Sequence, residues 1–474
     1  MRTYFIGICG TAMGNAARLL QAQGGVVAGS DQSVYPPMST ALAEAGIELH
    51  EGFDAARLAA WQPNRVIVGN AVSRGNPEVE WLLDTRAIPF FSLPEWIGAD
   101  LVGRRSAIVI AGTHGKTTTS CLTAHLLRRA GADPGWLIGG LCHDLPGGAA
   151  TGNPAAPFVV EGDEYDSAFF DKRSKFVHYR PRILVLNNLE FDHADIFRDL
   201  KDVQRSFSHV IRIVPKNGYI LYNGDDPALA QLLPVPWAQC FSVGTGSACD
   251  LRIASYGEGP SGASFQLRWR GALWGKVNWR QSGSFNARNA AMASLAAGLA
   301  LKPEDPLCAV DPRLAESFGG VLRRQQLHLE TERRVIVEDF AHHPTALAEA
   351  LTALRARWPG RRVIAAFEAR SNTTRRSVFQ SELADALGRA DEVWLAPPEG
   401  FERIPEPDRL DLALLQGDLA IANRATLTAD TYADFAERIS ERCTLLGEHP
   451  LLIVFFTNGS FGGSLGELIM RVRA

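Results

Sequence analysis

No CxxC pair and no apolar run near the ~18 residues of a membrane span occur in this chain. Its seven cysteines, Cys9, Cys121, Cys142, Cys240, Cys249, Cys308 and Cys443, are scattered, and an odd count argues against a disulfide framework. Reduced thiols in a cytoplasmic protein are expected, with no membrane partner. The start, Met1-Arg2-Thr3-Tyr4-Phe5-Ile6-Gly7, carries no apolar leader. Charge of neither sign dominates: 48 Lys and Arg against 52 Asp and Glu leave −4, which provides no electrostatic footprint for nucleic acid. Internal repeats and low-complexity tracts are missing too. What is present is apolar material, 46% of 474 residues. That suffices for roughly three domains of ~100–200 residues each.

Residues 1–104 alternate short apolar strands with helical stretches, the arithmetic of a parallel sheet with crossover helices. Residues 3–8 read as the first strand, and Gly7-Ile8-Cys9-Gly10-Thr11-Ala12-Met13-Gly14 opens the first helix. Its spacing is GxxGxxxG, so the GxGxxG of a dinucleotide site is missing and an NAD-dependent dehydrogenase is disfavoured. A phosphate or diphosphate still suits that helix start. Residues 26–30 form a second strand running into Asp31, whose carboxylate fits a ribose or sugar hydroxyl, or a helix cap. Residues 65–68 lead into Asn70-Ala71-Val72-Ser73, and residues 88–91 into Ser92-Leu93-Pro94-Glu95. Ligands of open parallel sheets collect beyond the carboxyl ends of strands, which places the first substrate at these loops.

Residues 105–317 hold the strongest signal. After the apolar run 107–111 comes Gly112-Thr113-His114-Gly115-Lys116-Thr117-Thr118-Thr119, and Leu122, Leu126 and Leu127 then recur at helical spacing. Such a strand–turn–helix aims backbone N–H groups and a helix N-terminus at one point. It adds the Lys116 ammonium and offers the Thr117 hydroxyl to magnesium, as a triphosphate requires. The first glycine of the usual P-loop is replaced by Ile110. Two more strand ends carry polar groups to the same edge. One runs into Glu161-Gly162-Asp163-Glu164-Tyr165-Asp166, the other into Asn187-Asn188-Leu189-Glu190-Phe191-Asp192-His193. The acids are a solvated loop or the hard oxygen ligands that magnesium needs; His193 beside Asp192 suits a ligand or an acid–base group. A hairpin is expected around Gly271-Ala272, with Trp269, Trp274 and Trp279 as packing. Ser284-Phe285-Asn286-Ala287-Arg288-Asn289 starts an Ala-rich helix with two amides on one face, either an N-cap or a reader of an adenine edge.

Residues 318–474 restart the strand–helix alternation. Strand ends there carry Glu338-Asp339-Phe340-Ala341-His342-His343-Pro344, then Glu368-Ala369-Arg370-Ser371-Asn372-Thr373, then Thr457-Asn458-Gly459-Ser460-Phe461. Hinges are expected near Gly103 and at Gly319-Gly320.

In order, GTHGKTTT, EGDEYD, NNLEFDH, FNARN and DFAHHPT resemble the Mur ligases across essentially the whole chain. FEARSNT and NGSFGG resemble the branch of that family that takes a murein tripeptide. The resemblance implies an α/β fold of three domains, each on a mainly parallel sheet with crossover helices. A central P-loop-type ATPase domain would lie between Rossmann-like N- and C-terminal domains. These would be a UDP-sugar-binding domain (1–104), an ATP-binding domain (105–317) and an amine-substrate domain (318–474). It implies ATP and Mg2+, with UDP-N-acetylmuramate and a murein tripeptide as substrates, in a cytoplasmic monomer or weak homo-oligomer. By position, Gly112, Thr113, His114, Gly115, Lys116, Thr117 and Thr118 would hold the phosphates, and Thr117, Glu161 and His193 the metal. Asn286 and Asn289 would face adenine, Asp339 the ribose, and Arg324 the γ-phosphate, with Arg323 as an equal alternative. Gly7, Gly10, Thr11, Ala12, Met13, Gly14, Ser30, Asp31, Asn70 and Ser73 would meet the UDP-sugar. His342, His343, Arg370, Asn372, Asn458 and Phe461 would line the amine side.

Two departures matter. Most relatives carry a carbamylated lysine after the DH pair, and Ser206-Phe207-Ser208-His209 offers none, as in members that bind UDP-muramate itself. Phe285 stands where relatives often have His. The chemistry implied is activation of a carboxylate as an acyl phosphate, then attack by an amine, with His193 or His342 as the base. A ligase for free L-alanine and a non-catalytic nucleotide switch are the rival readings.

Overall fold

The structure, a computed structural model, describes residues 1–473 as three large successive sheets with helices packed on them, and a small antiparallel pair, Asp166–Ala168 with Asp171–Ser174. In the first, five parallel strands lie in the order Glu48–Glu51, Val26–Asp31, Arg2–Ile6, Arg65–Val68 and Phe90–Ser92. The order reverses about Arg2–Ile6, so the glycine-rich turn after it opens at the switch point. That strand ends two residues earlier than residues 3–8 suggest, because Gly7 turns the chain at φ +84°. The fifth strand starts at Phe90, not Ile88: Pro89 has no N–H for the ladder and contributes only its carbonyl, to Val66.

The central sheet has ten strands. Gln239–Gly244, Tyr219–Asn223, Ile183–Leu186, Ala107–Ala111, Phe158–Glu161 and Gly135–Leu137 run parallel, and Ala149–Ala150 closes one edge antiparallel. At the other edge Leu251–Gly259 continues parallel, and Gly262–Trp269 and Ala272–Trp279 form the expected hairpin. Trp279 is buried, and Trp269 and Trp274 pack beside the same core. Ala107–Ala111 is covered on both faces, which is why it reads as an unbroken apolar run. Helix Lys116–Arg129 packs against Ser284–Leu301, whose alanines let the two backbones approach.

The C-terminal sheet orders Gln326–Glu330, Arg334–Asp339, Leu451–Phe456, Arg362–Phe367, Glu392–Leu395 and Ala425–Thr428, with only the first pair antiparallel. The joints between sheets are packed. Trp96, Ile97 and Leu101 share a core with Val109 and Phe158, while Phe318 and Val321 enter the central core and Val321 bridges to Cys142.

Candidate active site

Strand Ala107–Ala111 delivers the glycine-rich turn to the start of helix Lys116–Arg129. Gly115 sits at φ +78°, and a Cβ there would stand 2.7 Å from Asn289 Oδ1 and 2.9 Å from Asn187 Nδ2. Only glycine fits between those amides. No side chain caps the helix, which leaves its first N–H groups for an anion. Lys116 Nζ donates to Gly112 O at 2.7 Å and to both Glu164 oxygens at 3.0 and 2.8 Å. Burial opposes its charge, but Glu164, Asp163 and Glu161 outweigh it and lift its pKa above the ordinary lysine value.

Thr117 Oγ1 donates to Glu161 Oε1 at 2.9 Å, and Gly139 N–H to Glu161 Oε2 at 2.9 Å. Two hard oxygens side by side at the head of the turn fit magnesium. His193 is bonded elsewhere: its Nε2 meets Glu164 Oε1 at 2.9 Å and its ring lies 4.3 Å from that of Tyr165. Its φ of +57° is uncommon for a residue with a Cβ and marks a constrained position. Burial opposes its protonation, and the Glu164 bond and Asp192 overcome that, raising its pKa. Glu164 is thus the hub between Lys116 and His193. The sequence shows it only as one acid among four in EGDEYD.

A cavity of about 320 Å³ spans the central and C-terminal domains. Thr113 to Thr118 line it with Glu161, His193, Asn286, Asn289, Arg324, Asp339 and His342, so these expected ATP and metal residues surround one space; Gly112 is outside the lining and meets it through Lys116, which donates to its carbonyl. Phe285 lines the cavity too. Asn289 Nδ2 donates to Asn286 Oδ1 at 3.2 Å, and Asn286 Nδ2 to Ser282 O at 2.8 Å, so the amides brace each other. Asp339 accepts from the N–H groups of Gln325 and Ala341. Geometry separates the two arginines. Arg323 is consumed by Glu338, at 2.6 Å, and by the carbonyls of Thr457 and Gly459, whereas Arg324 lines the cavity above the Phe340 ring. His342 Nδ1 donates to Phe340 O, leaving Nε2 3.7 Å from Asp192 Oδ2. Burial resists ionisation of Asp192, but His342 and His193 override it and hold the carboxyl far below its usual range.

His343 is turned into the domain joint, where it meets Phe191 O and Glu190. Burial pushes its pKa down to about 4, and at Glu190 burial is outweighed by His114, which helps to hold that carboxyl near 2. Asn372 also faces the joint, donating to Asp195 at 2.9 Å, and Arg370 pairs with Glu399 at the outer edge. Asn458 Oδ1 is buried without a partner. Phe461 does not line a substrate surface: it is fully buried between Phe435 and Phe455.

Around the first switch point, Gly10, Thr11, Ala12, Asn70 and Ser73 are exposed, and Asp31 accepts from Cys9 N–H at 2.8 Å, so the turn and the acid do meet. Gly7 makes the turn, and a Cβ on Gly14 would strike Met38. Two residues lie apart from this surface. Ser30 is fully buried with its hydroxyl on Glu78, and Met13 packs in the core.

Family profiles match the chain in three stretches: the Mur ligase family catalytic domain over residues 2–102, the Mur ligase middle domain over 110–297, and the Mur ligase glutamate ligase domain over 323–455. A UDP-N-acetylmuramate–L-alanyl-γ-D-glutamyl-meso-2,6-diaminoheptandioate ligase of Escherichia coli (strain K12) is 40% identical over 480 residues, spanning 99% of this chain and 98% of that one. The chain belongs to the Mur ligase family. As a member it is an ATP-dependent ligase, and the expected three-domain α/β fold is borne out. A UDP-N-acetylmuramate–L-alanine ligase of Rubrobacter xylanophilus is 32% identical over 86% of either chain. The crystal structure of a murein peptide ligase from Psychrobacter arcticus superposes with a TM-score of 0.70 at 34% identity, covering 100% of this chain and 98% of that one. No helix among the described residues is long and apolar enough to cross a membrane.

Proposed function

We propose that this Mur ligase joins the lactoyl carboxylate of UDP-N-acetylmuramate to the L-alanyl amine of L-alanyl-γ-D-glutamyl-meso-diaminopimelate, as a cytoplasmic step of peptidoglycan recycling. The observation that carries this reading is the 40% identity to a tripeptide ligase over 99% of the chain, against 32% over 86% for an L-alanine ligase. Residues 1–104 would hold the UDP-sugar, 105–317 the ATP, and 318–474 the amine.

A carboxylate is a poor electrophile, so it must first take the γ-phosphoryl group, releasing ADP and giving an acyl phosphate. Lys116 would exchange Glu164 for phosphate oxygens, and Arg324 would approach the transferring group from the C-terminal side. Thr117 and Glu161 would hold magnesium, which when bound neutralises phosphate charge. The amine then attacks the acyl carbon, and phosphate leaves. Of the two candidate bases, His342 suits the amine proton: its Nδ1–H is fixed on Phe340 O, so Nε2 is the acceptor, and Asp192 is placed to stabilise the imidazolium. His193, tied to Glu164, would position the loop instead.

The test is mass spectrometry of products from ATP, Mg2+, UDP-N-acetylmuramate and an equimolar mixture of L-alanine and tripeptide. The tripeptide adduct is expected. An L-alanine adduct alone would make the chain an L-alanine ligase, and nucleotide binding without any adduct would leave a switch.

A further inference from the structure

Three segments converge on one carboxylate oxygen beside the ATP cavity. His114 Nε2 and His343 Nδ1 each lie 3.1 Å from Glu190 Oε2, and the three atoms fall within 4.8 Å of one another. His114 belongs to the phosphate turn, Glu190 to the loop after strand Ile183–Leu186, and His343 to the N-terminus of helix Pro344–Arg357 in the C-terminal domain.

Hydrogen bonding fixes the His343 tautomer. Nε2 faces the Phe191 carbonyl at 3.1 Å, which only accepts, so Nε2 carries the hydrogen. Nδ1 therefore carries the ring's one lone pair, which the Thr345 N–H caps from 3.3 Å, at the long end of the hydrogen-bond range. Glu190 Oε2 lies 3.1 Å from the same Nδ1, so an ion seated between them would take that lone pair in place of the N–H. A ring N–H fixed on a backbone carbonyl is the usual orientation of a ligating histidine. The two separations from Glu190 agree as well, since ligands ~2.0–2.1 Å from a tetrahedral zinc ion lie about 3.3 Å apart.

We propose that His114, Glu190 and His343 bind a divalent transition-metal ion that pins the C-terminal domain to the phosphate turn. Two imidazoles and one carboxylate favour Zn2+ or Co2+ over Mg2+, which prefers oxygen. Glu190 keeps 31% of its side chain exposed, which leaves room for water as a further ligand. The site shares no ligand with Thr117 and Glu161. His343 arrives only with the docked C-terminal domain, so the ion and the docked state stabilise each other.

The test uses metal-stripped full-length protein without Mg2+ or nucleotide, titrated with Co2+ near neutral pH. Equilibrium dialysis should find a single bound ion per chain, with the visible absorption of a tetrahedral nitrogen–oxygen site. Glu190→Gln and His343→Ala, each checked for folding by circular dichroism, should weaken binding by more than about tenfold. Glu161→Gln should retain it. If His343→Ala does not fold, His114→Gln carries the same expectation. No binding at about 1 mM Co2+, retention in the Glu190 and histidine variants, or loss in Glu161→Gln would each overturn the proposal.

Discussion

Lys116 and Arg324 approach the same space from two domains, and their partners before ATP arrives differ. Lys116 is held by buried Glu164, which His193 also touches, so Lys116→Ala leaves that carboxylate with His193 as its remaining partner. ADP release in this variant should fall by at least about 100-fold, while UDP-sugar binding at the first domain stays measurable by calorimetry. Near-normal turnover would sink the phosphate role. The arginines allow a sharper contrast. Arg324→Ala should cut kcat/KM for ATP by about 100-fold with little change in unfolding midpoint. Arg323→Ala removes the closest partner of Glu338, which is 6% exposed, leaving it His328 at 2.9 Å, and should cost about 1–3 kcal/mol of stability with a smaller catalytic effect. Urea unfolding and steady-state kinetics on both variants read the difference, and equal effects on both quantities would merge their roles. Residue identity alone does not separate the neighbours. The distinction comes from Glu338 and the Thr457 and Gly459 carbonyls, which reach Arg323 only once the C-terminal sheet has formed.

Elements carry the next constraints. In the phosphate turn, Gly115→Ala must place a Cβ between two amides at a left-handed φ, so either the turn or the side chains of Asn187 and Asn289 have to shift. Strain of about 1–3 kcal/mol at that point should weaken ATP binding roughly 5- to 150-fold in calorimetry, and an unchanged affinity would show that the turn is softer than its packing implies. The acidic loop after strand Phe158–Glu161 sets an acid limit on stability. Burial would raise the pKa of Asp163, but Lys175 and Lys116 prevail and hold it near 2, below its ordinary 3.8. A carboxyl lowered on folding stabilises the fold fully above its unfolded pKa and loses that contribution as pH falls from 3.8 towards 2. Lys175→Gln should therefore start acid unfolding at a higher pH, read by circular dichroism; superimposable acid curves would remove Lys175 from the account.

At the scale of the whole molecule, the sequence displays what repeats: apolar strands ending in polar loops at one edge of each sheet. It hides what depends on contacts far along the chain. Ala425–Thr428 is a half-exposed edge strand without an apolar run, so its pattern is weak. Ser30 looks available beside Asp31 until Glu78, 48 residues on, claims its hydroxyl, and Phe461 looks available until two other phenylalanines enclose it. Domain placement is likewise invisible in motifs, yet it completes the cavity. Asp195 is a tie across that joint, accepting from Tyr165 in its own domain and from Asn372 opposite, while Ala194 N–H donates to Thr373. Interfaces between domains of one chain are ordinarily modest, so the docked state should exchange with an open one. Removing a hydrogen bond worth about 1 kcal/mol then shifts that exchange roughly fivefold. Asp195→Ala should raise the open fraction of substrate-free protein by that factor, read by single-molecule distances between dyes on the central and C-terminal domains. It should also raise KM for the amine substrate more than KM for ATP, because the amine requires the docked domain while the phosphate turn belongs to the central one. An unchanged distance distribution with unequal KM values would instead place Asp195 in contact with the amine substrate itself.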